Sequence, residues 1–212
     1  REEKTWYDGT RKEYAAMVER IDLGVGKLMD ELDKAGVADD TLFIFTNDNG
    51  GERLSDNRPY FHRKATLWEG GIRVPCVMRW KEGRIPAGKD TRQVAISMDL
   101  TATILSACGV KPPEGRSLDG IDLLNLVRHD NAETRTLYWR IDRKDRSQKA
   151  VRKGNWKWVR DGVIELVYDL EKDPGERVDL YQSQQEKAVA LRKLHEGWEA
   201  EMAKEKPAFV VK

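Results

Sequence analysis

From Gly9 to Ala35 apolar residues recur at spacings of three and four. Met17, Ile21, Val25, Leu28 and Leu32 therefore fall on one face of a predicted helix. Thr10 is placed to cap its start and Gly36 to end it. The rhythm then changes. Leu42-Phe43-Ile44-Phe45 is a short, uninterrupted apolar run whose length and β-rich make-up suit a buried strand. Helix, turn and buried strand form one unit of an α/β sheet. A long polar stretch follows, and Ile72 to Trp80 reads as a second strand. Gln93 to Ser97 is a further short strand. Asp99 to Ala107 is a helix closed by Gly109, with Leu100, Thr103, Ile104 and Ala107 turned to the core. Asp122 to Arg128 is another short helix.

Beyond His129–Thr134 the pattern becomes β-like. Strands are expected over Thr136 to Ile141, on both sides of a Gly154-Asn155 turn within Lys149 to Arg160, and over Val163 to Leu170 after the Asp161-Gly162 turn. Gln184 to Lys204 closes the chain as an amphipathic helix through Val189, Leu191, Leu194, Trp198 and Met202. Tryptophans 139, 156, 158 and 198 would pack a small antiparallel sheet on it. The expected organisation is an α/β part over residues 1–130 and an α+β subdomain over 131–212.

Composition narrows the function. The 212 residues hold 38 Lys+Arg against 37 Asp+Glu, and a net charge of +1 gives no electrostatic reason to expect nucleic acid or an anionic membrane surface as partner. No apolar run approaches membrane-spanning length. Cys76 and Cys108 sit among apolar neighbours and are expected as buried free thiols, with no CxxC pair or Cys/His cluster to suggest zinc.

Candidate chemistry is concentrated between the first two strands. The apolar run ends in Asn47-Asp48-Asn49-Gly50-Gly51. Asp48 and Asn49 offer the hard oxygens that Ca²⁺ and Mg²⁺ prefer, at a strand end, where open α/β sheets bind their ligands. The same residues also read as a plain hairpin turn, although no return strand follows directly. Lys64 stands near the end of the polar loop, before Trp68-Glu69-Gly70-Gly71, a bulky anchor followed by two glycines that permit tight turning. A lysine held there is a point charge for a tetrahedral anion; otherwise it is simply solvated. His62 and Arg63 beside it are candidates for substrate contact or for ordinary surface positions.

Six ordered stretches resemble the type I sulfatases of the alkaline phosphatase superfamily: Tyr14…Arg20-Ile21-Asp22…Gly26, then Asp40 to Gly50, Lys64 to Pro75, Met98 to Leu105, Asp119-Gly120 with Arg152 to Lys157, and Tyr168-Asp169-Leu170…Asp173-Pro174-Gly175-Glu176. Around Asp99, Leu or Ala stands at two places where that family more often has Pro. The resemblance implies the later part of an alkaline phosphatase-like mixed sheet with flanking helices, plus a small C-terminal antiparallel sheet packed on a helix. It implies hydrolysis of sulfate esters, with a sulfated small molecule or glycan as substrate. It also implies a divalent cation, calcium first and magnesium as the alternative, with Asp48 and Asn49 as metal ligands and Lys64 as the lysine contacting a sulfate oxygen. Metal and ammonium together would stabilise the transferring anion.

One departure is expected to matter. The family's formylglycine nucleophile arises in a C-x-[PA]-S-R motif, whereas Cys76 is followed by Val77-Met78-Arg79 and Cys108 by Gly109-Val110. The nucleophile is therefore expected outside this chain, in a missing N-terminal part of the catalytic domain, and the chain alone is expected to be inactive. The alternatives are a phosphodiesterase or phosphonate monoester hydrolase of the same superfamily, and a non-catalytic interaction module.

Overall fold

The computed structural model describes residues 8–115, 117–129 and 131–204; the charged opening residues 1–7 lie outside them. They form two compact units. The first holds residues up to Asn47 together with Pro75–Glu133, and the second holds Asp48–Val74 together with the chain from Thr134 onward.

In the first unit, α1 (Arg11–Lys34) starts at Thr10, whose side chain accepts the Glu13 amide while the Glu13 carboxylate accepts the Thr10 amide. This reciprocal pair satisfies two amides that a helix start leaves without partners. Gly36, at φ +70°, takes the left-handed position just past the end. The expected apolar face exists, but it is not a core face: α1 buries no residue, and Met17, Ile21 and Leu28 are all exposed. Periodicity places the helix correctly, but of the expected face only Val25 and Leu32 are even half-buried.

Strand β1 (Phe43–Thr46) pairs antiparallel with β2 (Cys76–Arg79), Phe43 opposite Arg79 and Thr46 opposite Cys76. The second strand is thus shorter than the expected Ile72–Trp80. Ile72 belongs instead to a single helical turn, α2 (Glu69–Ile72), whose Gly71 and Ile72 amides donate to the Trp68 carbonyl. Gln93–Ser97 is irregular rather than a strand. Both cysteines are exposed free thiols, not buried ones; their apolar neighbours in sequence do not enclose them.

Helix α3 (Met98–Ala107) packs on α4 (Leu123–His129), whose Leu123, Leu124 and Leu126 are buried. The buried positions of α3 are Asp99 and Thr103, while Ile104 is exposed. Asp99 accepts the Ile96 and Ile121 amides, and Thr103 Oγ1 accepts the Leu123 amide. These two polar residues tie down the backbone leading into α4, so the face buried here is partly hydrogen-bonding rather than purely apolar.

The second unit is built on a four-stranded antiparallel meander, β3 (Thr136–Arg143), β4 (Arg146–Lys153), β5 (Trp156–Asp161) and β6 (Ile164–Asp169), in that spatial order. Gly154 and Gly162, both at positive φ, make the last two turns. Strand alternation sends side chains to two separate cores. Val151, Trp158 and Val167 meet Ala188 and Leu191 of α5 (Gln185–Met202). Ala150, Val159 and Tyr168 point the other way and meet Leu67 and Trp68 from the polar loop. Trp139 packs on this second side, away from the helix expected to receive it. Val189 and Met202 of α5 are exposed, and the buried positions between them are Leu191 and His195.

Candidate functional site

The loop carrying Asp48, Asn49 and Lys64 belongs to the second unit. It covers one face of the meander through Leu67 and Trp68, whose ring lies edge-on to Phe61 and Tyr168. The Leu67 amide donates to Gln148 Oε1 of β4 at 2.9 Å, and Arg146 reaches the Ala65 carbonyl at 2.6 Å. A segment that looks irregular in sequence is thereby fixed by the sheet beneath it.

Within the loop, backbone closes on backbone. The Gly50 amide donates to the Gly71 carbonyl at 2.9 Å, and the Lys64 amide donates to the Gly51 carbonyl at 3.1 Å. Asn57 accepts from the Gly51 amide and donates to the Gly51 and His62 carbonyls. The contact of Gly50 with α2 leaves no room for a side chain: a Cβ on Gly50 would stand 1.8 Å from the Gly70 carbonyl oxygen. His62 and Ala65, on either side of Lys64, have φ of 68° and 64°, and Glu176 has φ of 54°. Left-handed backbone at residues other than glycine costs on the order of 1–3 kcal/mol each and persists only where the surroundings over-determine it.

The structure thus joins the turn bearing Asp48 and Asn49 to the backbone of Lys64. Asp48 is exposed and Asn49 half-buried. Asn49 Nδ2 donates to the Gly50 carbonyl, which leaves its Oδ1 without a partner among the described residues. The Asp48 carboxylate and the Lys64 ammonium likewise have no ion pair among the described residues. Two neighbouring oxygen donors suit a hard divalent cation in kind but not in number, because calcium takes about six to eight oxygens. No group of three or more His, Cys, Asp or Glu side chains able to hold a metal occurs among the described residues.

Beside this turn lies a set of buried charges that sequence reasoning missed. Lys157 of β5 is fully buried, and its Nζ lies 2.8 Å from Glu69 Oε1 and 2.8 Å from Glu176 Oε1. Glu176 Oε2 accepts the Glu69 backbone amide at 2.6 Å. Arg73 and Arg152 approach Glu69 Oε2 at 3.6 and 3.8 Å. Burial works strongly against an ionised Glu69, but Lys157, Arg152 and Arg73 together outweigh it and hold that carboxyl below the ordinary range. For Glu176 burial prevails and its carboxyl is pushed up, despite Lys157 and the Glu69 amide. The signal was available: Lys157 alternates with Trp158 and shares the inward side of Val159.

His62 stacks over Trp68, 6.5 Å between ring centroids. Partial burial and then the positive charges of Arg146 and Arg63 hold its imidazole below its ordinary value. Arg146 and Arg63 therefore place positive charge near His62, with Asp161 acting against them.

Comparison with known proteins agrees with this architecture. A Sulfatase family model matches residues 1–110, a stretch that includes Asp48, Asn49 and Lys64. A model for N-sulphoglucosamine sulphohydrolase, C-terminal, matches residues 58–204. The chain belongs to the sulfatase family, and its mixed α/β architecture is that of the alkaline phosphatase-like fold of these proteins. It is 32% identical over 209 residues to N-acetylgalactosamine-6-sulfatase of Canis lupus familiaris, covering 80% of this chain and 39% of that protein. It is 37% identical over 127 residues to steryl-sulfatase of Mus musculus, covering 55% of this chain and 20% of that one. The crystal structure of Ps i-CgsB in complex with k-i-k-neocarrahexaose superposes with a TM-score of 0.83 at 31% identity, over 89% of this chain and 43% of that one. The chain spans about two fifths of the length of the N-acetylgalactosamine-6-sulfatase and of Ps i-CgsB.

Proposed function

We propose that this chain is the C-terminal portion of a metal-dependent sulfatase that hydrolyses sulfate esters. It contributes Asp48 and Asn49 to a divalent-cation site and Lys64 to the sulfate site, while the nucleophile and remaining ligands come from an N-terminal portion of the same catalytic domain. The observation that carries the reading is the Lys64–Gly51 backbone bond, which ties a lysine with no ion-pair partner among the described residues to the turn presenting the Asp48 and Asn49 oxygens, in a chain of the sulfatase family. When bound, calcium or magnesium would polarise the sulfate group. The chain's own residues do the rest of their share: Asp48 and Asn49 supply oxygens, and Lys64 supplies a fixed positive charge to an oxygen on which charge develops.

The exposed apolar positions of α1 and the single described partner of β1 support the reading of a larger domain. A sulfated sugar is the substrate class favoured by the relatives, one named for N-acetylgalactosamine-6-sulfate chemistry and one crystallised with neocarrahexaose.

The test compares turnover of an aryl sulfate and an aryl phosphonate by the full-length protein and by this chain alone. The full-length protein is expected to hydrolyse the sulfate in preference to the phosphonate, and the isolated chain neither. Preference for the phosphonate would favour a phosphonate monoester hydrolase of the same superfamily, and turnover by the isolated chain would overturn its dependence on an N-terminal portion.

A further inference from the structure

We propose that Lys157, Glu69 and Glu176 are positioning residues for Lys64: a buried charge cluster that locks the Lys64 segment onto the meander in its one productive conformation. The role rests on the sulfatase reading above and adds to it three residues that touch neither metal nor substrate there.

Lys157 projects from β5, the strand between β4 and β6 and therefore held on both sides. Its ammonium joins Glu69 to Glu176, and Glu176 in turn holds the Glu69 amide, so the first residue of α2 is gripped at side chain and main chain together. From α2 the connection to the candidate site is short and inflexible. The Gly70 amide donates to the Phe61 carbonyl at 2.8 Å, and the Gly71 carbonyl accepts from Gly50 at 2.9 Å. Gly70 and Gly71 pack so closely on the chain around them that a Cβ on either would lie 2.3 Å from the carbonyl oxygen of Phe61 or Thr66. Lys64 lies between these anchor points, flanked by the left-handed His62 and Ala65.

Two considerations favour positioning over bulk stability. Buried ion pairs are poor stabilisers compared with apolar side chains of the same size, and their best-attested use is to specify one arrangement among several. Here the surrounding core is already apolar, with Leu67, Trp68, Val159 and Tyr168 in place, so charge is not needed to fill it. In addition, the left-handed residues beside Lys64 need a surrounding structure that excludes their relaxed alternatives, and this cluster fixes the backbone only five residues further on.

A double-mutant cycle in the full-length protein, with 4-nitrophenyl sulfate as probe, tests the proposal. Lys157→Met is expected to lower kcat at least 10-fold with KM changed less than threefold. In a Lys64→Ala background the same substitution is expected to lower kcat less than threefold, because its effect passes through Lys64. Lys157→Arg, which keeps the charge, should restore part of the loss. Should Lys157→Met not fold, Glu176→Gln replaces it, since it keeps an acceptor for the Glu69 amide and nearly the same shape; the same non-additivity is expected. Equal losses in both backgrounds, or no loss in either, would overturn the positioning role while leaving the sulfatase reading intact. Absence of turnover by the unmodified protein would overturn both.

Discussion

His195 shows how a single residue can be invisible to pattern and decisive in the fold. It sits in the middle of α5, is buried, and directs Nε2 at the Trp139 carbonyl at 3.1 Å, with Tyr138, Trp158 and Trp198 around its ring. Burial, aided by Lys149 and Arg140, holds its pKa below the ordinary value, against the pull of the Trp139 carbonyl and Glu199. As pH falls, the unfolded chain therefore takes up the proton first. The contribution of a neutral His195 is fully present above about pH 6.5, the unfolded value, and is lost as pH falls toward the lower folded value. The melting temperature should accordingly drop between about pH 7 and pH 5, and His195→Gln should flatten that part of the curve. Parallel curves for the two proteins would show that His195 does not titrate as described. At this scale sequence reading singles out Asp48, Asn49 and Lys64 as candidates because each carries recognisable chemistry, and it passes over His195, Lys157 and Glu176 because their meaning lies in what surrounds them.

Between elements, the decisive contact is that of the Asp48–Gly51 turn with α2. The sequence around Glu69-Gly70-Gly71 indicates tight turning, and Ile72 onward has the pattern of a long strand. The difference comes from hydrogen bonding: amides that a strand would offer to a neighbour are taken by Trp68, Phe61 and Glu69 carbonyls. Periodicity was most reliable where one face is covered by a continuous element, as for β4, β5 and α5. It misled for most of the α1 face and for Ile104, where helical spacing is correct but the side chains stay exposed. The turn–helix contact also gives a prediction. Gly50→Ala would force a methyl against the Gly70 carbonyl, and overpacking against backbone costs about 1–3 kcal/mol. Chemical denaturation should show that loss without a change in the dependence on denaturant, and a variant as stable as the original would mean that the turn is not seated on α2. Removing the ammonium from Lys157, which leaves two buried carboxylates without it, should cost more, about 3–5 kcal/mol.

For the molecule as a whole, the chain contains the meander unit, with α5 on one face and the Asp48–Val74 loop on the other, and the unit of α1, which leaves most of that helix's apolar face exposed. The first of these was largely legible from alternation and turn residues. That the loop belongs with the meander was not, because its anchors, Gln148, Arg146 and Lys157, are separated from it by some eighty residues and no local pattern marks such pairings. The chain spans about two fifths of the length of relatives such as the N-acetylgalactosamine-6-sulfatase, and the proposed function gives it one part of a shared site. The most direct test of that account is the kcat of the full-length protein for an aryl sulfate at saturating calcium, before and after Lys64→Ala. A fall of about 10²–10³-fold, the usual effect of removing one preorganised charge-stabilising donor, is the expected result; a kcat unchanged by the substitution would contradict the assignment of Lys64 to the sulfate site.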